Sequence, residues 1–344
     1  MIEAEHKRRL ALDAAGRFVT TDPADVRWLL CGRGRPVAAG TSPYAVELAE
    51  GIANVWYQDI ERSRIEVEER WQELGYEPVA YPWHEPLPAL EADRRGGAPP
   101  EQGTGLGALR IALVPPELER YRAAGGDVAA AFVEVLSTLR PEIEELEAAG
   151  ELAGRLHARG FTTPVVLVGG DRRAPVHRHP LPTREALGSF ALLAVTAERH
   201  GLHVSMTRIV SFGTPPAELA HRVRDAAEVD AAALAASRRG VSLGDVFEVL
   251  ARAYELRGFP EEWRRHHQGG LTGYRGREVF ATPGDETVLP DAFAVAWNPS
   301  VAGGGKSEDT ALVTEDRVEV ITRTPGLGEL GTAAGIPRPS IVVV

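Results

Sequence analysis

The stretch that decides the fold is Trp263–Glu278, WRRHHQGGLTGYRGRE, together with two short downstream segments, Ala296–Pro299 (AWNP) and Lys306–Thr310 (KSEDT). It places two adjacent histidines before a pair of glycines and then a run rich in arginine. The apolar residues that lead into AWNP predict a strand. We therefore expect ionisable side chains to be held on short strands in the carboxy-terminal part of the chain.

A similar pair of segments occurs earlier in the sequence. Phe293–Trp297 leads to Glu308, and Phe190–Ala194 leads to Ser205 with an offset of 103 residues. The two pairs predict equivalent two-stranded segments. A ligand site between two such halves would be built from equivalent hairpins.

The elements around these segments also follow one order twice. A turn with the sequence Arg-Gly-Phe ends the last predicted helix of each round, at Arg159–Phe161 and at Arg257–Phe259, and a glycine just past a helix suits the left-handed position there. The first round has predicted helices at 116–124, 127–138 and 142–158, a strand at Val165–Val168 and a strand pair within Phe190–Phe212; the second has helices at 216–224, 228–237 and 243–257 and strands within Val279–Thr322. The carboxy-terminal part therefore reads as a duplicated αβ half.

The amino-terminal part predicts a separate, smaller α/β domain. Short strands are predicted at Gly16–Thr20, Val55–Gln58 and Pro78–Tyr81, and a helix at Ile60–Leu74. Glu91–Leu106 then collects glycine, proline and charge without periodicity, which is typical of a connection between separately packed cores. We predict domains at 1–107 and 108–344.

Composition excludes several classes of function. The 344 residues carry a formal net charge of −11, which argues against a nucleic-acid partner and against anionic membranes, because both need a basic face. The lone Cys31 excludes an intramolecular disulfide and a cysteine metal cluster. The absence of an apolar leader or span predicts a cytoplasmic protein. Only Lys7 and Lys306 are lysines, and the excess of arginine is read first as coding bias.

The quoted motifs resemble those of the pita-bread family, which contains methionine aminopeptidase, Xaa-Pro aminopeptidase, prolidase and creatinase. They are most similar to the creatinase pattern, in which Gly-His-x-x-Gly runs into YYGRE and is followed by Met-Glu-Pro and Glu-His-Asp. The resemblance covers 108–344 in order and spacing and 13–90 more loosely. It implies an α+β fold, with a pita-bread domain of two duplicated αβ halves and a smaller α/β amino-terminal domain.

The resemblance also implies where metals would bind, since the family's peptidases hold two divalent ions with Asp, Asp, His, Glu and Glu. At these positions the chain has Ala194, Ser205, His267, Asn298 and Glu308. Alanine offers no lone pair, and a hydroxyl or amide balances a dication poorly. We therefore expect neither a metal pair nor another cofactor; one weakly held ion at His267 and Glu308 is the alternative.

Three residues are the candidate catalytic groups. His179, in the segment Arg178–Thr183, matches the family's catalytic histidine, and histidine suits proton transfer near neutral pH. His267 would donate a hydrogen bond to developing charge. Glu308 would orient the water or a cationic part of the substrate.

Four residues are the candidate substrate-binding groups. The resemblance implies that Arg277 clamps a substrate carboxylate through its planar fork, a surface ion pair being the alternative. Asn298 would offer an uncharged amide, and Ser205 faces the same cleft. Tyr274 is either a contact to the substrate or a core aromatic.

The predicted function is metal-independent hydrolysis of a C–N bond in a small carboxylate-bearing substrate, as the likeness to creatinase and to ectoine hydrolase implies. The first alternative is a metal-dependent Xaa-Pro aminopeptidase or dipeptidase acting on short peptides. The second is a binding protein that kept the cleft without catalysis. The resemblance to creatinase further implies a homodimer.

Overall fold

The computed structural model describes residues 2–37, 43–90, 105–315 and 317–344. The predicted connection Glu91–Leu106 lies outside these residues except for its last two positions. The chain divides into two compact units, one of Met1–Pro116 with His200–Leu202 and the other of Glu117–Arg199 with His203–Val344.

The described helices and strands follow one another with short loops. The longer helices are α1 (Ile2–Ala15), α2 (Pro23–Leu29), α3 (Pro115–Leu136), α4 (Glu145–Ala158), α5 (Ala217–Ala236) and α6 (Leu243–Leu256), and short helical turns lie at Asp59–Glu61, Arg62–Arg64, Ile65–Glu69, Trp71–Leu74, Gly107–Arg110 and Glu262–Arg265. The strands are β1 (Phe18–Thr20), β2 (Tyr44–Ala49), β3 (Ile52–Gln58), β4 (Glu77–Tyr81), β5 (Thr162–Gly170), β6 (Phe190–Arg199), β7 (Leu202–Ser211), β8 (Gly269–Thr272), β9 (Val279–Phe280), β10 (Ala292–Trp297), β11 (Ser300–Val301), β12 (Gly305–Lys306), β13 (Asp309–Thr314), β14 (Arg317–Val320), β15 (Glu329–Leu330), β16 (Arg338–Pro339) and β17 (Val342–Val343).

The smaller unit contains one sheet in the order β1-β2-β3-β4, in which only the β3–β4 pair among the described strands is parallel. Asp22 caps α2 by accepting a hydrogen bond from the backbone N–H of Ala24 at 2.8 Å. The sequence analysis predicted β1, β3 and β4 but missed α1, α2 and β2.

The predicted helix Ile60–Leu74 is wrong. The segment passes through short 3₁₀, α and π turns and is broken at Arg70, where φ is 45°. Its Glu69 is buried and accepts hydrogen bonds from the backbone N–H of Gly34 at 2.7 Å and from Arg64 at 3.2 Å. Because a buried carboxylate needs such donors, this contact overrides the helical periodicity.

The larger unit contains a four-stranded and a five-stranded sheet with matching order, besides the two-stranded sheets β11-β12 and β15-β16. The first is β17-β7-β6-β5 and the second is β14-β13-β10-β8-β9, so that β5, β6 and β7 correspond to β8, β10 and β13. The predicted α+β class with duplicated halves is thereby confirmed. Residues of β5, β6, β7 and α5 form one of its buried clusters, which includes Ala194.

Two predicted helix breaks are wrong for an identifiable reason. The glycines at 125 and 126 separated two predicted helices, but α3 runs through them, and a Cβ at Gly125 would lie 2.6 Å from the carbonyl oxygen of Ile321. Glycine here permits close packing rather than a break. Likewise α5 is continuous through Asp225, whose carboxylate is bound by Arg257 at 2.8 Å.

The two Arg-Gly-Phe turns are equivalent in detail. Gly160 and Gly258 have φ of 82° and 87°. The backbone N–H of Phe161 donates to Leu156 O at 3.1 Å, and that of Phe259 donates to the carbonyl oxygen five residues before it at 2.9 Å. The carboxy-terminal ends of α4 and α6 therefore carry the same left-handed cap, as predicted. A hairpin with Gly303 and Gly304 in its turn joins β11 and β12.

Candidate functional site

A cavity of about 610 Å³ opens in the larger unit. One wall is apolar and is formed by Pro164, Val165, Val166, Leu167, Leu181 and Phe280. The polar lining consists of His179, Thr196, His203, His267, Arg277, Asn298, Lys306 and Glu308. The volume suits a ligand of the size of a dipeptide.

The two halves meet at the inner end of this cavity through paired hydrogen bonds. Ser205 N donates to Thr310 Oγ1 at 2.8 Å, and that hydroxyl donates to Ser205 O at 2.9 Å. Thr207 N donates to Glu308 O at 3.0 Å, and Thr207 Oγ1 donates to Glu308 Oε2 at 2.7 Å. The offset of 103 residues converts one pair into the other, so β7 and β13 lie about the symmetry axis of the duplication.

Arg277 joins the two symmetry-related residues. Its Nη1 donates to Ser205 Oγ at 3.1 Å and to Gly276 O at 2.6 Å, and its Nη2 donates to Glu308 Oε1 at 3.2 Å. Burial lowers the pKa of Arg277, and Glu308 acts against that shift. The guanidinium is therefore a buried cation held between positions 205 and 308.

Lys306 brings a second cation to the same end. Its side chain is 3% exposed, and its Nζ lies 3.9 Å from Glu308 Oε2. Burial lowers the pKa of Lys306, while the neighbouring carboxylate of Glu308 raises it. One carboxylate thus faces two basic groups.

Glycine at two positions lets the histidine segment reach the cavity. Gly269 and Gly270 have φ of 100° and 142°, and a Cβ on Gly269 would lie 2.1 Å from Ala296 O. These residues let β8 pair closely with β10. In consequence His267 and Asn298 lie side by side, and Asn298 N donates to Gln268 O at 3.1 Å.

Three histidine rings cluster at one side of the cavity. The rings of His179 and His267 are nearly parallel at 5.9 Å between centroids, and His266 lies edge-on to His179 at 5.8 Å. Ser300 Oγ is 2.6 Å from His266 Nε2 and accepts from Arg178 Nη1 at 2.7 Å. Ser300 therefore ties the His179 loop to the His267 segment.

All three histidines are biased towards the neutral form. Burial lowers the pKa of His267 to about 4 and that of His266 to about 2, with nearby cations adding to both shifts. Burial and Lys306 also lower the pKa of His179, although Glu308 opposes them. At neutral pH these rings can accept a proton or donate one N–H hydrogen bond without carrying charge.

The structure brings most of the predicted site residues together. His179, His267, Arg277, Asn298 and Glu308 line the cavity. Two do not line it among the described residues. Ser205 is fully buried behind the Arg277 fork, and Tyr274 is 4% exposed, with its hydroxyl donating to Glu117 Oε1 at 2.6 Å. The structure thus places Tyr274 in the core, which was the alternative considered for it.

The sequence analysis did not propose Lys306, Thr207 or Phe280 as site residues. Lys306 was noted only as one of two lysines, although its rarity in an arginine-rich chain was a usable signal. Thr207 is the symmetry mate of Thr310 and could have been found from the same offset. No pattern in the sequence distinguished Phe280, whose ring packs against His267 at 4.8 Å.

The donor set does not fit a pair of divalent metals. Ala194 is a buried core residue and Ser205 Oγ is committed to Arg277 and to Thr196. The remaining carboxylate, Glu308, already accepts from Arg277 and Thr207. Within the described ranges, no group of three or more His, Cys, Asp or Glu side chains is arranged to hold a metal ion. Ser205 and Glu308 are instead held by hydrogen bonds and by the neighbouring cations Arg277 and Lys306.

Comparison with known proteins identifies similar sequences. The model of metallopeptidase family M24 matches residues 119–315, more than half of the chain. The probable dipeptidase PepE of Mycobacterium bovis is 26% identical over 265 residues, which cover 73% of this chain and 70% of that protein. The ectoine hydrolase of Halomonas elongata is 26% identical over 233 residues, covering 61% of this chain and 58% of that enzyme.

Solved structures show the same fold. The dipeptidase PepE from Mycobacterium ulcerans matches with a TM-score of 0.76 and 19% identity, covering all of this chain and 99% of that one. These matches confirm the resemblance and the pita-bread fold predicted from the motifs.

No helix among the described residues has the length and apolarity needed to cross a membrane.

Proposed function

Because the chain belongs to metallopeptidase family M24, we propose that it hydrolyses a C–N bond of a small, carboxylate-bearing compound and does so without a resident metal ion. Relatives named as dipeptidase and ectoine hydrolase support C–N bond hydrolysis. The single observation that carries the metal-independent part is the Arg277 fork, which occupies the space between Ser205 and Glu308.

His179 is the proposed base. Its ring opens onto the cavity, and its lowered pKa leaves it neutral at pH 7. As water attacks the carbon of the C–N bond, His179 accepts the water proton, and a C–O bond forms. When the C–N bond breaks, the same imidazolium returns the proton to the leaving nitrogen, so an amide substrate gives a carboxylic acid and an amine, which ionise to a carboxylate and an ammonium at pH 7.

His267 and the buried cations are the proposed stabilisers of the intermediate. A neutral His267 offers one N–H to the oxygen that becomes negative during attack, and Arg277 and Lys306 supply positive potential to the same cavity. Such preorganised donors contribute strongly where water is excluded. Glu308 holds both cations in place through its two carboxylate oxygens.

The test combines metal analysis with a substrate panel. Purified protein is equilibrated with Mn²⁺ or Zn²⁺, desalted and analysed for metal, and hydrolysis of N-acyl amino acids, dipeptides and cyclic amidines is measured with and without EDTA. We expect less than one metal per chain and turnover that EDTA does not change. Stoichiometric metal together with EDTA-sensitive turnover would refute the metal-independent mechanism.

A second candidate is an M24 dipeptidase that depends on metal, and the names of the relatives favour it. It predicts hydrolysis of dipeptides, including Xaa-Pro substrates, only after metal is added. His267 and Glu308 would supply its protein ligands. The same panel separates the candidates, because this one requires that Mn²⁺ restore the activity that EDTA removes.

A further inference from the structure

The inner end of the cavity carries an unbalanced positive charge. Arg277 and Lys306 face a single carboxylate, that of Glu308. The next charged pair, Arg178 with Glu262, is neutral as a whole. Since an uncompensated buried charge is costly, this end of the cavity is built for an anionic ligand.

Arg277 and Lys306 differ in how far their N–H donors are already used in hydrogen bonds. Both terminal nitrogens of Arg277 already donate, to Ser205, Gly276 and Glu308. The ammonium of Lys306 has a distant ion pair at 3.9 Å and no hydrogen bond of ordinary length to a described residue. Its three N–H donors are the less committed ones at the charged end.

A second unsatisfied group lines the same cavity. Asn298 is 3% exposed and lines the cavity, and its Oδ1 has no hydrogen-bond partner among the described residues. A buried amide oxygen without a donor carries a desolvation cost that a ligand N–H would remove. The cavity therefore offers a ligand both an ammonium donor and an amide acceptor.

The apolar wall of the cavity fixes the rest of the ligand. Val165, Leu181 and Phe280 line the cavity and are 40%, 69% and 50% exposed. Burying these exposed apolar side chains beneath an apolar group of a ligand is favourable in free energy. A ligand that contacts both the basic residues and this apolar wall has a carboxylate and an apolar body.

We propose that Lys306 is the residue that binds the substrate carboxylate, that Arg277 instead positions Glu308 and Ser205, and that the substrate is an apolar monocarboxylate whose N–H meets Asn298. The inference rests on the proposed function, because it takes a carboxylate-bearing substrate as given. It moves the carboxylate clamp from the residue that the family resemblance indicates to one that the resemblance does not assign. A compact ammonium fits beside the Arg277 guanidinium, where a second planar fork would compete for the same space.

Isocaproate and its neutral amide, isocaproamide, are suitable probes, and calorimetry measures their binding. We expect the wild-type protein to bind the carboxylate roughly tenfold or more tightly than the amide, as for a hydrogen bond to a charged group. Lys306→Met should abolish this preference. Lys7→Arg is the matched control, since Lys7 is buried in the smaller unit and pairs with Glu3 at 2.8 Å, and it should keep the preference.

The outcomes separate the two proposals. If the wild type prefers isocaproate and Lys306→Met retains the full preference, the assignment of Lys306 is wrong while the proposed substrate class stands. If the wild type shows no preference for the carboxylate, the proposed substrate class fails as well.

Nuclear magnetic resonance of the wild-type chain tests the same contact without relying on the stability of a variant. Protein labelled with lysine carrying ¹³C at the ε position gives signals from Lys7 and Lys306, and Lys7→Arg assigns them. Isocaproate should shift the Lys306 signal and leave the Lys7 signal in place, whereas isocaproamide should shift neither. A Lys306 signal that does not respond to saturating isocaproate would overturn the assignment.

Discussion

Nη2 of Arg277 donates to Oε1 of Glu308 at 3.2 Å, and both side chains are less than one-tenth exposed. The pair joins two loops of the second half, since Arg277 lies between β8 and β9 and Glu308 lies between β12 and β13. In a site whose family relatives are metallopeptidases, this contact gives Glu308 an internal cation as its partner.

Arg277→Met should lower the free energy of unfolding by about 3 kcal/mol, because it leaves the buried Glu308 carboxylate without its guanidinium. Urea denaturation measures the change. Arg122→Met is the matched control: Arg122 and Glu319 form an exposed pair at 2.9 Å, and its loss should cost about 1 kcal/mol or less. The double variant Arg277→Met, Glu308→Gln should recover part of the loss; equal stability of single and double variants would contradict the argument.

His179→Asn should lower kcat by roughly a hundredfold or more, as expected for loss of a general base. The lowered pKa of His179 also predicts the pH dependence: the neutral base predominates at pH 7, and the acid-side fall of kcat/KM is displaced to a pH below the ordinary histidine pKa of 6.5. Steady-state rates between pH 4 and pH 8 measure both effects. His157→Asn, on the exposed face of α4, serves as the control and should change neither.

Asp230 should make the protein more stable on mild acidification. Its carboxylate is buried against Arg338 and Ser307, and burial, reinforced by Asp309, raises its pKa from 3.8 to about 6. The folded state therefore binds this proton more tightly than the unfolded state, and the contribution to stability grows as pH falls from 6 towards 4. Relative to Asp230→Asn, the wild type should gain about 1 kcal/mol between pH 7 and pH 5 in urea denaturation.

A flat difference between those two proteins across the pH range would show that Asp230 does not take up the proton. Asp291→Asn is the control, because Asp291 is 84% exposed and should give no such difference.

Tyr274→Phe should leave kcat/KM unchanged while lowering the free energy of unfolding by about 1 kcal/mol, since it removes the hydrogen bond to the buried Glu117. Phe280→Leu is the comparison, because Phe280 lines the cavity and its truncation should raise KM. A raised KM in Tyr274→Phe would instead place that side chain against the substrate.

The duplication could be predicted from the sequence because both halves retain the same turn motif and the same spacing of strands. The Arg-Gly-Phe caps require a left-handed residue, and the offset of 103 residues located Ser205 opposite Glu308 before any contact was known. Five polar residues of the cavity, His179, His267, Arg277, Asn298 and Glu308, were predicted from the motifs and the family resemblance. These features depend on short sequence motifs, so they can be recognised without knowledge of the tertiary contacts.

The errors came from contacts that join distant segments. Gly125 resembled a helix break, yet its hydrogen admits the carbonyl oxygen of Ile321 at the helix surface. The Ile60–Leu74 periodicity was helical, yet the buried Glu69 needed donors from Gly34 and Arg64. Lys306 became meaningful only when its distance to Glu308 and its place in the cavity were known.

The reciprocal bonds of Ser205 with Thr310 and of Thr207 with Glu308 have a consequence for ligand orientation. A cleft whose two halves stayed identical would accept an asymmetric molecule equally well in either direction. Here position 205 is a serine whose hydroxyl is covered by Arg277, whereas position 308 is a glutamate that lines the cavity next to Arg277 and Lys306, so the two halves present different groups to a ligand. Divergence of the two halves after the duplication therefore gives the cleft one preferred orientation for an asymmetric ligand.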